Sequence, residues 1–374
     1  MLPKHLQTLQ ARRLLLAPTF RSTFRIHCYP VSSAIHANFT SQRTFLSTAN
    51  TKMVEQKDAA AASIFKWASK DGEFRRQVSS FRDVVSTEAD AKFKAEPGRY
   101  HLYVSWACPW AHRAIIVRAL KGLQDVIGLS AVHYLLQDKG WRFDHPGEST
   151  PGVINDNVNG AEYLRDIYFK AEPNYEGRFT VPVLWDKKTQ TIVNNESSEI
   201  IRFLNTAFDE WSSAPGVSYY PENLRKEIDD LNGWIYDEIN NGVYKAGFAT
   251  TQEAYEKNYK LVFQGLDKVE NILAKKEWLV GETFTEADIR LFTTIVRFDP
   301  VYHTHFKCTG GTIAHSYPNI LRWTRQFYQL PKIAETVNME HIKNHYYMSH
   351  IQINPTRVVP VWNGPDLTVP YAQK

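Results

Sequence analysis

A single cysteine at a predicted strand-to-helix junction is the strongest chemical signal in the chain. Cys108 lies in the run SWACPWAHR at residues 105–113, between the β-forming residues 101–104 and the apolar segment 114–120. Pro109 favours the first turn of a helix. The thiol is therefore expected at a helix N-terminus, where free backbone N–H groups and the helix dipole stabilise negative charge. We expect a lowered thiol pKa and a nucleophile at this position.

The motif around Cys108 has no second thiol. Its sequence is Cys-Pro-Trp-Ala, with Ala111 where a thioredoxin-type motif carries a second cysteine. A mixed disulfide on Cys108 must then be resolved by an external thiol, which indicates glutathione as co-substrate. The alternative is a buried, unreactive core thiol, which is the usual state of a free cysteine.

Two later segments have the features of a peptide-binding site. Val181-Pro182 opens a predicted strand, and we expect a cis peptide bond there that presents the Val181 backbone to a peptide ligand. A trans edge-strand proline is the alternative. Ser197 begins a predicted helix whose N-terminus suits a carboxylate such as that of a γ-glutamyl group, and Glu196 is placed to hold the ammonium. A simple helix cap is the alternative for Ser197.

The elements around these residues predict a thioredoxin-like α/β domain. The order is β-α-β followed by β-β-α, and the segment 137–177, rich in Gly, Asp, Asn and Pro, is predicted as a long loop. The predicted strands cover residues 101–104, 127–136, 180–185 and 191–193, and the predicted helices cover residues 109–121 and 197–205. We expect Phe74 to pack onto this domain.

A Pro-rich linker at 213–221 separates this domain from a helical one. Apolar residues recur at helical spacing in four stretches, at 222–240, 253–273, 286–298 and 317–345. Thr285 and Asp288 form a capping box with a structural role. The fold class is therefore α/β plus all-α. The predicted parts are a leader at 1–54, a thioredoxin-like glutathione-binding domain at 55–212 and an all-helical domain with a Pro-rich tail at 213–374.

The leader resembles a mitochondrial transit peptide. Residues 1–54 contain seven basic and no acidic residues, which leaves 37 basic and 40 acidic residues in the rest of the chain. A merely disordered tail is the alternative, and Met53 could start a cytoplasmic form. The nearly neutral body gives no argument for nucleic acid. No run approaches the ~20 apolar residues of a membrane-spanning helix. The three cysteines form no disulfide framework, and no Cys/His spacing indicates a metal site.

Several motifs together resemble the Xi-class glutathione transferases, the glutathionyl-hydroquinone reductases. The resemblance covers nearly all of residues 60–365, and the Asn-Pro-Thr-Arg run at 354–357 is not expected in the neighbouring Omega class. The runs that carry it are SWACPWAHR at 105–113, GWRF at 140–143, RFTVP at 178–182, NESSEI at 195–200, NGVYKAGFA at 241–249, DPVYH at 299–303, HYYMSH at 345–350 and INPTR at 353–357.

The resemblance implies a reductase that uses glutathione to release a hydroquinone from its glutathionyl conjugate, with glutathione disulfide as the second product. It implies that Cys108 is the nucleophile and Tyr244 the proton donor. It further implies a homodimer without a metal. The residues implied for glutathione binding are Trp141, Arg178, Phe179, Thr180, Val181, Glu196 and Ser197. Those implied for hydroquinone binding or thiolate stabilisation are Tyr302, His303, Tyr346 and Tyr347, and which of the adjacent pair Tyr346 and Tyr347 faces the site is left open.

Two other functions remain compatible with the sequence. An Omega-like thioltransferase or dehydroascorbate reductase would use the same thiol chemistry. A non-catalytic transferase-fold binding module would need no nucleophile, so the presence of both Cys108 and Tyr244 argues against it. A conventional conjugating transferase is disfavoured, because a thiol in the catalytic position favours removing glutathione over attaching it.

Overall fold

A computed structural model describes residue 69, residues 71–361 and residues 364–372 of the chain. The predicted leader at 1–54 and the start at Met53 lie outside the described residues, and the mitochondrial location stays a prediction, as does the homodimer. Of the helices in the described part, none is long and apolar enough to cross a membrane.

The α/β half is built on a four-stranded mixed sheet. Its strand order is β4-β3-β5-β6, with β3 parallel to β4 and antiparallel to β5, and with β5 antiparallel to β6. A separate parallel pair joins β1 to β2. All five residues of β3 are buried, as expected for a central strand covered on both faces. The strands are β1 (Val85–Ser86), β2 (Phe93–Lys94), β3 (Tyr100–Val104), β4 (Gly128–Ala131), β5 (Val183–Asp186) and β6 (Thr191–Asn194).

Ten α-helices lie within the described residues, three of them in the α/β half. The π-helical turns Tyr236–Asn240 and Phe298–Tyr302 follow α4 and α7. The helices are α1 (Pro109–Leu120), α2 (Leu164–Ala171), α3 (Ser197–Thr206), α4 (Arg225–Ile235), α5 (Gly242–Gly247), α6 (Gln252–Leu273), α7 (Glu286–Ile295), α8 (Ile313–Ser316), α9 (Pro318–Tyr328) and α10 (Met339–Ser349).

The predicted thioredoxin-like fold is confirmed, but the predicted loop at 137–177 was wrong in part. It contains α2, whose buried residues Leu164, Ile167 and Tyr168 form one apolar stripe at helical spacing. The Asp166 carboxylate accepts the Tyr163 N–H at the start of this helix. The many Gly, Asn and Pro residues around this helix favour a loop, so the composition of the segment does not indicate its eight helical residues. The added helix completes a β-α-β-α-β-β-α order.

Two predicted elements were too long. The strand predicted at 127–136 ends at Ala131, since His133 N–H already turns away to the Arg142 carbonyl. The helix predicted at 317–345 is two helices, α9 and α10, because Pro331 lacks the N–H that a continuous helix needs and disfavours the helical conformation at the residue before it.

Helix α1 lies where the two halves of the chain meet. It packs on α3 of the α/β half and on α7 of the helical half, and nine of its twelve residues are buried. Two of these are polar, and each reaches into the helical half. His112 Nε2 is 2.9 Å from Thr336 Oγ1, and Arg113 Nη2 donates to Asn240 Oδ1 at 3.1 Å.

The capping box before α7 is confirmed as a structural feature. Asp288 is buried, and its carboxylate accepts the N–H groups of Thr285 and Leu279 and the indole N–H of Trp323, each at 2.9–3.0 Å. Burial raises the pKa of Asp288 to about 6, although these donors act in the opposite direction. The carboxylate therefore joins the start of α7 to the core of the helical half.

We predict that Asp288→Ala lowers the free energy of unfolding by about 2 kcal/mol, because buried N–H donors lose their acceptor. Urea unfolding followed by circular dichroism measures the change. Asp230→Ala is the control: Asp230 is exposed and pairs with Lys226 one turn away, so its loss should change stability by less than about 0.5 kcal/mol. Equal losses in the two variants would contradict the structural role of Asp288.

Candidate active site

Cys108 caps the N-terminus of α1. Pro109 is the first residue of the helix, and the Cys108 carbonyl accepts the N–H of His112 at 3.0 Å. The half-buried thiol lies 3.5 Å from the carbonyl oxygen of Val181. The backbone N–H groups of Trp110 and Ala111 point at the sulfur. The predicted position of Cys108 at a helix N-terminus is thus confirmed.

The expectation of a lowered thiol pKa was wrong for the site as the structure shows it. Burial raises the pKa of Cys108 and outweighs the groups that lower it, which are the N–H groups of Ala111 and Trp110 and the positive charges of Arg297 and Arg76. The sequence reveals the helix terminus but not the depth of the pocket. A ligand whose N–H groups donate to the sulfur lowers the pKa of Cys108 further.

Cys108 opens into a cleft of about 340 Å³ that both halves of the chain line. On the α/β side, the Val181–Pro182 peptide bond is cis, as predicted. Val181, Glu196 and Ser197 all line the cleft. These three residues and Cys108 bring together a strand-like backbone edge and the N-termini of α1 and α3, which is an arrangement suited to a short peptide with a terminal carboxylate.

Glu196 is an ionised carboxylate at the start of α3. Its side chain accepts the N–H and hydroxyl of Ser198 at 3.0 and 2.9 Å and the hydroxyl of Ser79 at 3.0 Å. Burial opposes ionisation, but these donors and the charge of Arg113 hold the pKa of Glu196 below its ordinary value. A carboxylate has lone pairs beyond these three bonds, so Glu196 can also accept an ammonium group.

The other residues predicted to bind glutathione also line the cleft: Trp141, Arg178, Phe179 and Thr180. Two of them are held by Tyr168. Its hydroxyl donates to the Thr180 carbonyl at 2.8 Å, and its ring packs edge-on against Phe179. Burial lowers the pKa of Arg178. Its guanidinium gives this wall a positive charge that favours a carboxylate ligand.

Three tyrosine hydroxyls form a hydrogen-bonded chain on the helical side. The Tyr346 hydroxyl contacts that of Tyr244 at short range and that of Tyr302 at 3.0 Å. Tyr244 and Tyr346 line the cleft, whereas Tyr302 is fully buried behind them. Burial raises the pKa of all three phenols, which therefore keep their protons at neutral pH. The negative charge of a Cys108 thiolate also raises the pKa of Tyr244.

The structure does not bring His303 or Tyr347 to the cleft. His303 follows the π-helical turn at Phe298–Tyr302, is half-exposed and contacts Thr304. The Tyr347 hydroxyl donates to the Pro300 carbonyl at 3.2 Å on another face of α10. Of the two adjacent tyrosines, Tyr346 faces the site.

A strap that the sequence did not reveal forms one wall of the cleft. We define the strap as residues 71–82. It pairs with the helical half through Gly72 O and Thr250 N, and with the α/β half through the Phe81 N–H and Asn195 Oδ1. Phe74 packs against Phe248 and Tyr244 of the helical half, and its predicted packing onto the α/β half stays a prediction.

Arg76 of the strap places a cation in the aromatic part of the cleft. Its guanidinium lies 4.4 Å from the ring centre of Trp110 and 5.2 Å from that of Tyr244. Both distances are within cation–π range. No motif marks the strap, since its residues are mixed and polar and acquire a role only from the two halves that they bridge.

Two histidines of α10 and its C-terminal end also line the cleft. The His345 ring packs against Trp141 at a tilt, with ring centres 4.7 Å apart, and its Nδ1 is 2.9 Å from the Tyr134 carbonyl. His350 is 3.1 Å from His305. Burial lowers the pKa of each of these histidines, so all are neutral at physiological pH. The sequence could have indicated His345, because it directly precedes the predicted site residue Tyr346 at the end of a predicted helix.

One group in the described residues has the spacing of a metal site. The ligand atoms of His133, Asp144 and Glu148 lie within 4.8 Å of one another. The Arg142 guanidinium occupies both Glu148 oxygens, at 2.6 and 2.8 Å, and supplies the positive charge that a metal would bring. None of the three residues lines the cleft.

Comparison with known proteins places the two halves in one family. Residues 107–207 match the model of the N-terminal domain of glutathione S-transferases, and residues 252–326 match that of the C-terminal domain. A Schizosaccharomyces pombe protein named glutathione S-transferase omega-like 2 is 55% identical over 314 residues, covering 82% of this chain and 98% of its own. The Escherichia coli glutathionyl-hydroquinone reductase YqjG is 51% identical over 308 residues, covering 81% and 92%.

Solved structures give the same result. The glutathione S-transferase Xi of Phanerochaete chrysosporium is 51% identical, with a TM-score of 0.76, and the match covers 80% of this chain and all of that one. The glutathione-bound structure of YqjG is 52% identical, with a TM-score of 0.74, and the match covers 78% and 95% of the two chains.

We predict that iodoacetamide modifies Cys108 but not Cys308 in the native protein. Cys308 has no exposed surface, and burial raises its pKa to about 12, whereas Cys108 opens into the cleft. Peptide mapping by mass spectrometry measures both sites, and a sample in urea, where both cysteines should react, is the control. Equal modification of the two in the native protein would contradict the described burial.

Proposed function

This chain belongs to the Xi class of glutathione transferases, the glutathionyl-hydroquinone reductase family, and we propose that it reduces glutathionyl-hydroquinones to hydroquinones with glutathione. The observation that carries the proposal is a single thiol in the same cleft as two protonated phenols, Tyr244 and Tyr346, which are hydrogen-bonded to each other, with Tyr302 hydrogen-bonded behind them. The glutathionyl part of the substrate fits the α/β wall, where Val181, Glu196 and Arg178 offer a backbone edge, a carboxylate and a cation. The aromatic part then lies against the tyrosine wall.

In the first step the Cys108 thiolate attacks the sulfur of the glutathionyl group. The new bond is a disulfide between Cys108 and glutathione, and the bond that breaks joins sulfur to the ring carbon. Its electron pair stays on the ring, so the hydroquinone is reduced and the thiolate oxidised. The N–H groups of Trp110 and Ala111, which point at Sγ, stabilise the thiolate before the attack.

The departing ring carbon must gain a proton, and Tyr244 is positioned to give it. Its phenol is protonated at neutral pH, lines the cleft and is within electrostatic range of Cys108. The hydroxyl of Tyr346, bonded to both Tyr244 and Tyr302, stabilises the phenolate that this transfer leaves.

In the second step a further glutathione resolves the mixed disulfide. Its thiolate attacks the glutathione sulfur bound to Cys108, which releases glutathione disulfide and regenerates the Cys108 thiolate. Residue 111, where a thioredoxin-type motif has its second cysteine, is an alanine. The other described cysteine, Cys308, is buried. Among the described residues, no thiol of this chain can therefore take the place of the second glutathione.

We predict that Cys108→Ala abolishes turnover of glutathionyl-menadiol while leaving the fold and glutathione binding intact, because the small side chain leaves the start of α1 in place. Stopped assays measure turnover, and calorimetry measures glutathione binding. In the wild-type protein, mass spectrometry under limiting glutathione should show one glutathione on Cys108. A folded alanine variant with normal activity would exclude the mechanism.

We predict that Tyr244→Phe lowers kcat for glutathionyl-menadiol by about 10²-fold, the usual contribution of a general acid. The same variant should keep most of its activity on a simple glutathionyl disulfide, because a departing thiolate needs no proton on carbon. Tyr347→Phe is the matched control, since its hydroxyl bonds the Pro300 carbonyl away from the cleft. Equal losses on the two substrates would contradict the role of Tyr244 as proton donor, and little loss on either would favour the Omega-like thioltransferase alternative, in which Tyr244 has no proton to deliver.

A further inference from the structure

Arg297 is a buried arginine of the helical half that donates hydrogen bonds to the backbone just before Cys108. It follows α7 and has no exposed surface. Its Nε donates to the Ala107 carbonyl and its Nη2 to the Trp106 carbonyl, both at 2.9 Å. These two peptide groups form the turn that Cys108 closes, through its own N–H to the Ser105 carbonyl at 3.1 Å.

Within the described part of the chain, no carboxylate pairs with the positive charge of Arg297. Its remaining partners are the Thr293 carbonyl, at 2.7 Å, and His112 Nδ1, at 3.0 Å, and no ion pair to it occurs among the residues that the structure describes. Its charge therefore acts on the groups nearby instead of being cancelled by one partner.

His112 is neutral, so it does not cancel the positive charge of Arg297. A guanidinium only donates, so His112 Nδ1 is the acceptor and its proton is on Nε2. From Nε2 the proton is donated to the Thr336 hydroxyl at 2.9 Å, which donates in turn to the Ile333 carbonyl at 2.6 Å. Burial and the nearby Arg297 charge keep the pKa of His112 well below its ordinary value.

We infer that Arg297 is a positioning residue for the reaction: it fixes the turn that carries Cys108 and supplies an uncancelled positive charge behind the thiolate. A forked guanidinium can hold two carbonyls at a set separation, which a lysine cannot do. The charge comes from the helical half, whereas the thiol belongs to the α/β half. Docking of the two halves thus completes the electrostatics of the nucleophile.

Arg297 and Arg76 are two cations whose positive charge lowers the pKa of Cys108, against the larger effect of burial. Tyr244 and Tyr302 also act on the thiol, but both keep their protons at neutral pH because burial raises their pKa. Arg76 is exposed on the strap, where solvent and salt screen its charge. Arg297 is screened much less, because it is buried.

The inference rests on the proposed function only for the role of Cys108 as nucleophile. Its test measures the thiol itself: the rate of iodoacetamide reaction at Cys108 as a function of pH, followed on the Cys108 peptide by mass spectrometry. We expect Arg297→Gln to raise the apparent pKa of Cys108 by about one unit, which lowers the thiolate fraction about tenfold at pH values below it. Arg297→Lys, which keeps the charge, should stay near the wild type.

Arg118→Gln is the matched control. Arg118 also lies at helix α1 and donates to two backbone carbonyls, those of Ile127 and Gln124, but at the opposite end of the helix from the thiol. Its loss should leave the apparent pKa of Cys108 unchanged. A folded Arg297→Gln variant with the wild-type pKa overturns the electrostatic role, and an equal shift in the Arg118 variant would assign it to a general loosening of α1.

Arg297→Lys tests the turn separately, and decides the matter if Arg297→Gln does not fold. One ammonium cannot hold both carbonyls, so kcat for glutathionyl-menadiol should fall about tenfold while the Kd for glutathione is unchanged. Full activity of this variant overturns the positioning role. If the wild-type protein has no reductase activity, the proposed function fails, whereas the shift in Cys108 reactivity still tests Arg297.

Discussion

The site depends on where helix α1 begins. A thiol is useful as a nucleophile only if the protein stabilises its charged form, and burial, which the cleft requires, works against that form. Here the first-turn N–H groups of Trp110 and Ala111 point at the sulfur of Cys108. Their positions follow from a helix that starts at Pro109 and nowhere else. A shift of this start by one residue would take the donors off the sulfur, so the structure around α1 has to hold the helix in register.

That requirement explains why α1 is buried between the two halves. An amphipathic surface helix could slide or fray at its first turn, whereas α1 is packed by α3 on one side and by α7 on the other. Its polar residues His112 and Arg113 are not exceptions to this burial, because their hydrogen bonds reach Thr336 and Asn240 of the helical half. Hydrogen bonds between buried polar groups favour one arrangement of the elements that carry them. The same contacts that join the two halves therefore also set the register of the catalytic helix.

The sequence predicts well whatever depends on local chemistry. The strand-turn-helix around Cys108, the cis bond before Pro182 and the capping box at Thr285 and Asp288 each follow from one or two residue types at fixed spacing. What depends on packing was predicted less well. In the π-helical turn after α7, Tyr302 points inward to Tyr346 while its neighbour His303 does not, and the sequence does not show which of the two faces the core. The strap at 71–82 has no periodicity of its own, because it is held by partners distant in sequence.

The proton balance of the reaction accounts for the choice of phenols in the helical wall. Reductive removal of the glutathionyl group uses one proton per turnover, on the ring carbon, and the second glutathione gives up one proton when it becomes a thiolate. The site therefore needs groups that lend a proton and recover it, without titrating in between. Buried histidines cannot do this, because burial lowers their pKa and leaves His345 and His350 without a proton to lend as an acid. Burial has the opposite effect on Tyr244 and Tyr346, whose pKa rises, so that both enter every turnover protonated. Burial thus has two effects in this cleft: it makes the Cys108 thiolate costly to form, and it keeps the phenols of Tyr244 and Tyr346 protonated.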